Sequence, residues 1–443
     1  MPSREEMLAW IRGFETGPTR LAGTAGGLRA EELVEGRFRE LGLEGVAREP
    51  IRFEVWEPGE AALECGGRSF PCYPVARARF TGPEGVAGPL VFIGEGDPAS
   101  LDGRSLEGKI AVLEVRFAPR PYQLLRKTAH AVHDPGGSLE REPETRASWI
   151  LPGFARAYSF CVARGAAGLV CILRDLRANR HRYHYPYAHP DEILPLPAVF
   201  VGRDSGTRLR KLLASGESTA RIATTGRTGP GATHNLLGFL PGSSDELVLV
   251  TSHHDSPFGG HVDDASGLAA LLAVASRFAR KSPAERPLSL AFLAAAGNFQ
   301  SNMGARAFLA RHAHDLVPRL VLALTVEHVA LEAEERHGKL RPTGHVEPRG
   351  IFVSDRPELL DLTTLAVIGN DLRRSTIVPV AGEEPRVDGE ARAYFAAGLP
   401  TIGIISGPEY VLTDDGGPEW IAADELVPVA KTAIEILEAF MQL

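Results

Sequence analysis

Two gaps in the sequence say as much as the residues around them. No glutamate occurs between Glu285 and Glu327, and no histidine after His345. These stretches therefore lack groups that commonly bind metals or move protons. Cysteine is scarce: the 443 residues contain four (Cys65, Cys72, Cys161 and Cys171), none in a Cys-x-x-Cys pair, which argues against a cysteine-built zinc site. Cys65 and Cys72 flank Gly66-Gly67 and can face each other across a hairpin, but free thiols are expected in a reducing compartment. Lysine is down to six residues, the other basic positions being arginine, which identifies no function. No apolar run approaches the roughly 20 residues of a membrane span. The N-terminal MPSREEMLAWIRGFETG carries charges where a signal peptide needs an apolar run, so a cytoplasmic location is expected. A net charge of −8 offers no general attraction to phosphate, which excludes a broad nucleic-acid or anionic-membrane binder.

What is present is ordinary for a folded protein: 44% hydrophobic and 23% charged residues, in a chain long enough for two domains. The densest chemistry lies in Val248–Ala270, VLVTSHHDSPFGGHVDDASGLAA. An apolar strand runs into His253-His254-Asp255, a glycine-containing loop leads to Asp263-Asp264, and small residues open a helix. Imidazole and carboxylate at the mouth of a buried strand suit a zinc-type divalent ion.

The pattern along the chain changes twice. Glu31–Leu41 reads as an amphipathic helix closed by Gly42. From about Val55 to Thr225 the pattern is strand-rich, with strands at Ala61–Cys65, Val91–Ile93, Ile110–Val115, Gly168–Leu173 and Leu196–Gly202 and helices at Ala155–Ala167 and Ser205–Leu213. Arg227–Gly231 reads as a linker by composition. Beyond it, strands Leu247–Thr251, Pro287–Ala295, Leu320–Val326 and Thr401–Ile405 alternate with helices Ala265–Arg280, Gly304–His312, Glu358–Asn370 and Asp424–Met441. This alternation predicts an α/β fold with a mostly parallel sheet sandwiched by helices, and a ligand site at the carboxyl ends of the strands. His253, Asp263, Asn298, Glu327 and the Ser406–Asp415 loop all lie just past strand ends.

His234-Asn235-Leu236-Leu237-Gly238, VLVTSHHDS, VDDASGLAALL, Gly304–Phe308 and Ala397–Ile402 together resemble the M28 family of zinc aminopeptidases. LEGKIAVLEV, ARGAAGLVCIL and LPAVFVG resemble a protease-associated (PA) domain inserted into such a core. The resemblance implies a zinc-exopeptidase-like core from residues 1–54 and 231–443 and a PA-like β-rich insertion at 55–230. It also implies a two-zinc site sharing one bridging Asp. On that basis His253 matches the first His ligand, Asp263 the bridging Asp and Glu327 an Asp ligand. Asp255 matches the carboxylate that orients the ligating His from behind. The chain departs from the family where Ala296-Gly297-Asn298-Phe299-Gln300 replaces a Glu-Glu pair that supplies the general base and a ligand of the second metal. Leu412-Thr413 stands where the family has a His-Thr pair. The implied product is an M28-like hydrolase of peptides or amides with a degenerate site, retaining groups for one zinc ion. The alternative is a non-catalytic M28-fold binding or scaffold protein.

Each candidate also has a plainer reading. His253 and Asp263 can be relics that satisfy one another at a buried strand end. Glu327 can pair with a nearby Arg or His. His328 follows Glu327 on the strand and should point the other way, as a packed or capping His. Asp264 is expected to cap the helix near Ala265. Replacement ligands or a base can come from His254, His261, Asp264, His328, Glu383, Glu384, Asp414 or Asp415. His181, His184 and His189 lie among aromatics and read as a loop cover that can fold over the pocket. His130 and His133 read as surface residues of a helix. Arg386 and Tyr394, beside Asp388, are placed to recognise an anionic or peptide-like ligand. Self-association into a homo-oligomer is left open.

Overall fold

Two 22-residue strands, Glu44–Cys65 and Thr219–Leu240, run antiparallel as a ribbon through the middle of the computed structural model. Their pairing extends from Glu44 opposite Phe239 to Cys65 opposite Ala220. The structure describes residues 1–96, 103–118, 122–140, 148–186, 192–216, 219–382 and 387–443. The ribbon overturns one expectation: Arg227–Gly231 is no linker but the middle of a strand, with Trp56 opposite Thr228 and Phe53 opposite Gly231. Glycine and proline are tolerated there for a physical reason. The strand Gly82–Phe92 pairs up to Thr224 and the strand Leu288–Ala295 begins at Leu236, so between them one edge has no strand partner among the described residues. Pro230 can therefore lack its N–H without breaking a ladder. The boundaries expected at 54/55 and 230/231 both fall inside this ribbon.

On one side of the ribbon lie the strands Leu288–Ala295, Ser244–His253, Leu320–Glu327 and Thr401–Ser406, adjacent in that order and all parallel. Arg349–Ser354, Ser375–Val380 and Ala131–His133 extend the sheet to its edge. On the other side lie Gly82–Phe92, Ile110–Val115, Gly168–Leu173, Ala198–Gly202 and Cys72–Pro74. The sheet is mixed and mostly parallel, with helices against it, as the alternating pattern predicts. The helix Gly267–Ala279 (GLAALLAVASRFA) is apolar nearly all round and almost entirely buried, because it is enclosed by the sheet, the N-terminal helix and the helix Leu426–Phe440.

The pattern did not show the N-terminal helix Arg4–Gly13, capped by a reciprocal Ser3–Glu6 box, or the hairpin Leu331–Arg336/Lys339–Val346. His133 is on a strand, not a helix, and contacts Asp371 at 2.8 Å, while His130 just before it lies 3.5 Å from Asp361. None of the four cysteines forms a disulfide. No helix among the described residues is long and apolar enough to cross a membrane.

Candidate metal centre

The parallel strands end together, and their carboxyl ends collect the charged residues. His253 is the last residue of its strand and Glu327 of the next. Asp263 and Asp264, joined by a cis peptide bond, sit on the distorted turn before the helix Gly267–Ala279. That turn points the two carboxylates apart. Asp264 accepts from Ser252 Oγ (2.7 Å), Gly267 N–H (3.1 Å) and His328 N–H (3.0 Å), so it caps the helix and ties two strand ends together. Asp263 faces the pocket.

His253 Nε2 lies 3.3 Å from Asp263 Oδ1, and His328 Nε2 lies 3.2 Å from the same oxygen. One atom each from His253, Asp263 and His328 falls within 4.8 Å of the others, and all three residues are buried. Glu327 stands beside this group, its Oε2 3.8 Å from His253 Nε2. His328 does not point away as strand alternation predicts. Its φ of 56° leaves the extended region directly after the strand, which rotates the ring back to the side of Glu327. His328 Nδ1 bonds the Ser406 carbonyl at 2.7 Å, leaving Nε2 toward Asp263. Behind the group, His253 Nδ1 contacts the Asp255 carbonyl at 3.1 Å and its carboxylate at 3.4 Å. Asp255 Oδ1 is held in turn by Asn298 N–H at 3.0 Å.

The electrostatics reflect buried charge. Burial lowers the His253 imidazole, but contacts with Asp255 and Asp263 and the charge of Asp264 outweigh it and hold the group well above its usual range. His328 is likewise lowered by burial but raised to about 9 by Asp263. Burial pushes Glu327 up to about 7 despite both histidines. Asp263 is held below the usual carboxylate range: burial opposes ionisation, and His328 and His253 overcome it. Among the described residues, Asp263 Oδ1, Glu327 Oε2 and His328 Nε2 are buried without a properly aligned hydrogen-bond partner. Such atoms normally find partners, and a nitrogen–oxygen set of this kind fits a divalent ion of the zinc type.

The neighbouring volume is filled differently. Asn298 Nδ2 lies 3.2 Å from His253 Nε2, and the Phe299 ring packs edge-on to His253 with centroids 5.7 Å apart. On its other side Phe299 meets His184 at 5.5 Å. His184 N–H donates to the Leu412 carbonyl at 2.9 Å, and burial lowers the His184 imidazole to about 4. Phe299, Leu412 and Tyr183 belong to one apolar cluster. The segment around His184 therefore packs against Phe299, and its Pro186 lines the cavity.

A cavity of about 450 Å³ opens beside the group. Asp263, Glu327, His328 and Asn298 line one end, while Tyr122, Leu125, Trp149, Phe352, Val387 and Leu412 supply apolar walls. Asp388 lines it too, accepting from Trp149 Nε1 at 3.0 Å.

Comparison with known proteins agrees with this layout. A sequence profile for Peptidase family M28 matches residues 235–341, which span His253, Asp263, Glu327 and His328. Over that segment the chain is similar to Peptidase family M28. An aminopeptidase from Aneurinibacillus sp. strain AM-1 is similar in fold, with 20% identity, a TM-score of 0.67, and 99% of this chain and 93% of that one covered. BSAP, a zinc aminopeptidase from Bacillus subtilis, is similar at 15% identity and a TM-score of 0.69, with 98% and 94% covered. A Peptidase M28 precursor from Shewanella amazonensis SB2B gives 15% identity and a TM-score of 0.71, with 97% and 92% covered. No curated protein sequence matches.

Several candidates fall elsewhere in the fold. His254 turns away, its Nε2 on the His234 carbonyl at 2.9 Å, and His261 faces Glu15 at 3.7 Å. Asp414 pairs with Arg182 at 3.1 Å and Asp415 with Arg180, so neither supplies oxygen to the group. Tyr394 is fully buried and bonds Glu390 Oε1 at 3.1 Å, so it does not reach a ligand in the cavity. His181 is half-buried. His189, Glu383, Glu384 and Arg386 lie outside the described residues. Sequence reasoning missed two participants. Glu390 donates its N–H to Glu327 Oε1 at 2.9 Å. Arg20 lies far away in the sequence, and nothing local marks it.

Proposed function

We propose that the chain is an M28-like hydrolase of peptides or amides that uses one divalent ion, zinc by preference. The observation that supports it most is an intact ligand group beside a filled one: His253, Asp263 and His328 gather, whereas Phe299 and Leu412 pack the adjoining space with carbon. The aminopeptidases similar in fold, one of them a zinc aminopeptidase, favour zinc and peptide-like substrates. His253, Asp263 and His328 would hold the ion, with Glu327 within reach as a fourth group. The bound ion would supply Lewis acidity toward a carbonyl or water.

The side chains divide the remaining tasks. Asp255 holds the His253 ring in place. Glu390 N–H fixes Oε1 of Glu327 and leaves Oε2 beside His253, where the carboxylate would either join in holding the ion or take and return a proton. The apolar walls exclude water and receive an apolar group of the substrate. We also read residues 55–230 as a PA-like module inserted into a core of residues 1–54 and 231–443, carried on the long ribbon.

A non-catalytic scaffold is the second reading, and the Phe299–His184 packing favours it. Metal analysis of protein purified without added metal, followed by assays on aminoacyl and peptide amides with Zn²⁺, Co²⁺ or Mn²⁺, separates the two. The hydrolase reading expects about one ion per chain and turnover that disappears in His253→Ala. No bound ion, no turnover and an unchanged melting temperature with metal would leave the scaffold.

A further inference from the structure

Arg20 has no exposed surface and sits far in sequence from His253, Asp263 and His328, yet its guanidinium reaches the loop between His253 and Asp263. Nε donates to the His254 carbonyl at 3.2 Å. Nη1 donates to Gly259 at 2.7 Å and Phe14 at 3.2 Å, and Nη2 to Gly260 at 3.0 Å. The backbone joins as well, with Arg20 N–H on the Ser256 carbonyl at 2.9 Å. All these partners are carbonyls. The charge that balances the cation comes through space from Asp263, Asp255 and Asp264, while burial lowers the group only to about 10, so it stays protonated at neutral pH.

We infer that Arg20 is a positioning residue for the metal group: by clamping the carbonyls of His254, Gly259 and Gly260 it fixes the loop between His253 and Asp263, and so sets the spacing of those two ligands. The loop needs such a clamp. Residues 254–260 form neither strand nor helix, and a connection without its own ladder opens easily unless tied down. Arginine suits the task because its planar fork places several donors at fixed angles, whereas a lysine ammonium is a point charge that cannot span the same carbonyls. Gly260 completes the fit. Its φ is +65°, and a Cβ there would lie 2.7 Å from Arg20 Nη2 and 2.4 Å from Ser256 Oγ. Chain and guanidinium pack with no spare room.

The inference rests on the metal reading above, and its test separates the two. Zinc affinity is measured by competition with a chromophoric chelator for the wild type, Arg20→Lys, Arg20→Met and Gly260→Ala. Hydrogen exchange of the loop amides is followed in the metal-free proteins, with far-UV circular dichroism as the folding control. Arg20→Lys keeps the charge and loses the fork. It is expected to weaken zinc binding about tenfold or more and to speed exchange across residues 256–262. Arg20→Met is expected to weaken binding as well, although it removes a cation that repels the ion. Gly260→Ala crowds the clamp from the other side and should weaken binding, with less than multiplicative effect when combined with Arg20→Lys.

Affinity within twofold of wild type in Arg20→Lys, or tighter binding in Arg20→Met, overturns the inference. Should the Arg20 variants not fold, Gly260→Ala decides alone, and unchanged affinity there overturns it. Failure of the wild type to bind zinc is a different result: it removes the metal reading itself.

Discussion

Gly389→Ala is the sharpest single perturbation of the site. Gly389 has φ +77°, and a Cβ there would lie 2.4 Å from Glu327 Oε1, 2.8 Å from Oε2 and 2.7 Å from Ile405 Cδ1. The first cost is conformational, about 1–2 kcal/mol for an L-residue held in the left-handed region. The second is the bond from Glu390 N–H to Glu327 Oε1, 2.9 Å long, which must break as the carboxylate retreats. A hydrogen bond to an ionised group is worth about 1.5–3 kcal/mol, and the oxygen is left buried without a partner. Together these predict a loss of about 2.5–5 kcal/mol. An unfolding entropy of about 2 cal/mol/K per residue makes that a fall of about 3–6 °C in Tm for a chain of this size. Differential scanning calorimetry measures the loss, and zinc titration should show weaker binding in the same variant. A Gly389→Ala protein that melts with the wild type would mean that Glu327 is not held against residue 389, and the placement of its carboxylate would be wrong.

Other side chains give independent checks. His328→Ala should weaken zinc binding at least tenfold, and more than Glu327→Gln does, because His328 belongs to the tight group and Glu327 stands beside it; titration of both variants ranks them. Phe299→Ala removes the ring between His253 and His184 and should cost about 3–5 kcal/mol in denaturant unfolding. Glu347 tests the pH dependence away from the site. Burial, and then the charge of Glu332, push its carboxyl up to about 8. A carboxyl raised above its unfolded value favours folding while protonated, so this contribution is complete below the ordinary carboxylate range and is lost as pH rises through about 8. Glu347→Gln should flatten the decline in stability between about pH 5 and about pH 9, as measured by urea melts across that range.

Much of the architecture is legible in the residues. The helix Gly267–Ala279 and the strands Ser244–His253, Leu288–Ala295 and Leu320–Glu327 follow from local periodicity, since each buries a continuous apolar run that no other arrangement would cover. The ribbon was not legible. Gly229, Pro230 and Gly231 signal a turn locally, and only the free edge of that strand explains why they are tolerated in it.

The site divides in the same way. From the sequence alone follow the strand-end placement of His253 and Glu327, the place of Asp263 just before a helix, and the absence of glutamate from Ala296–Gln300, because residue identity and distance from an element's end are local properties. Tertiary structure decided what local properties cannot carry. A left-handed backbone at His328 reversed the direction set by strand alternation and brought the ring to Asp263. Packing from a distant segment put Phe299 between His253 and His184. Arg20 reached the loop between His253 and Asp263 across more than 230 residues of chain. In each case the deciding energy is a contact between residues far apart in sequence, and no local pattern records it.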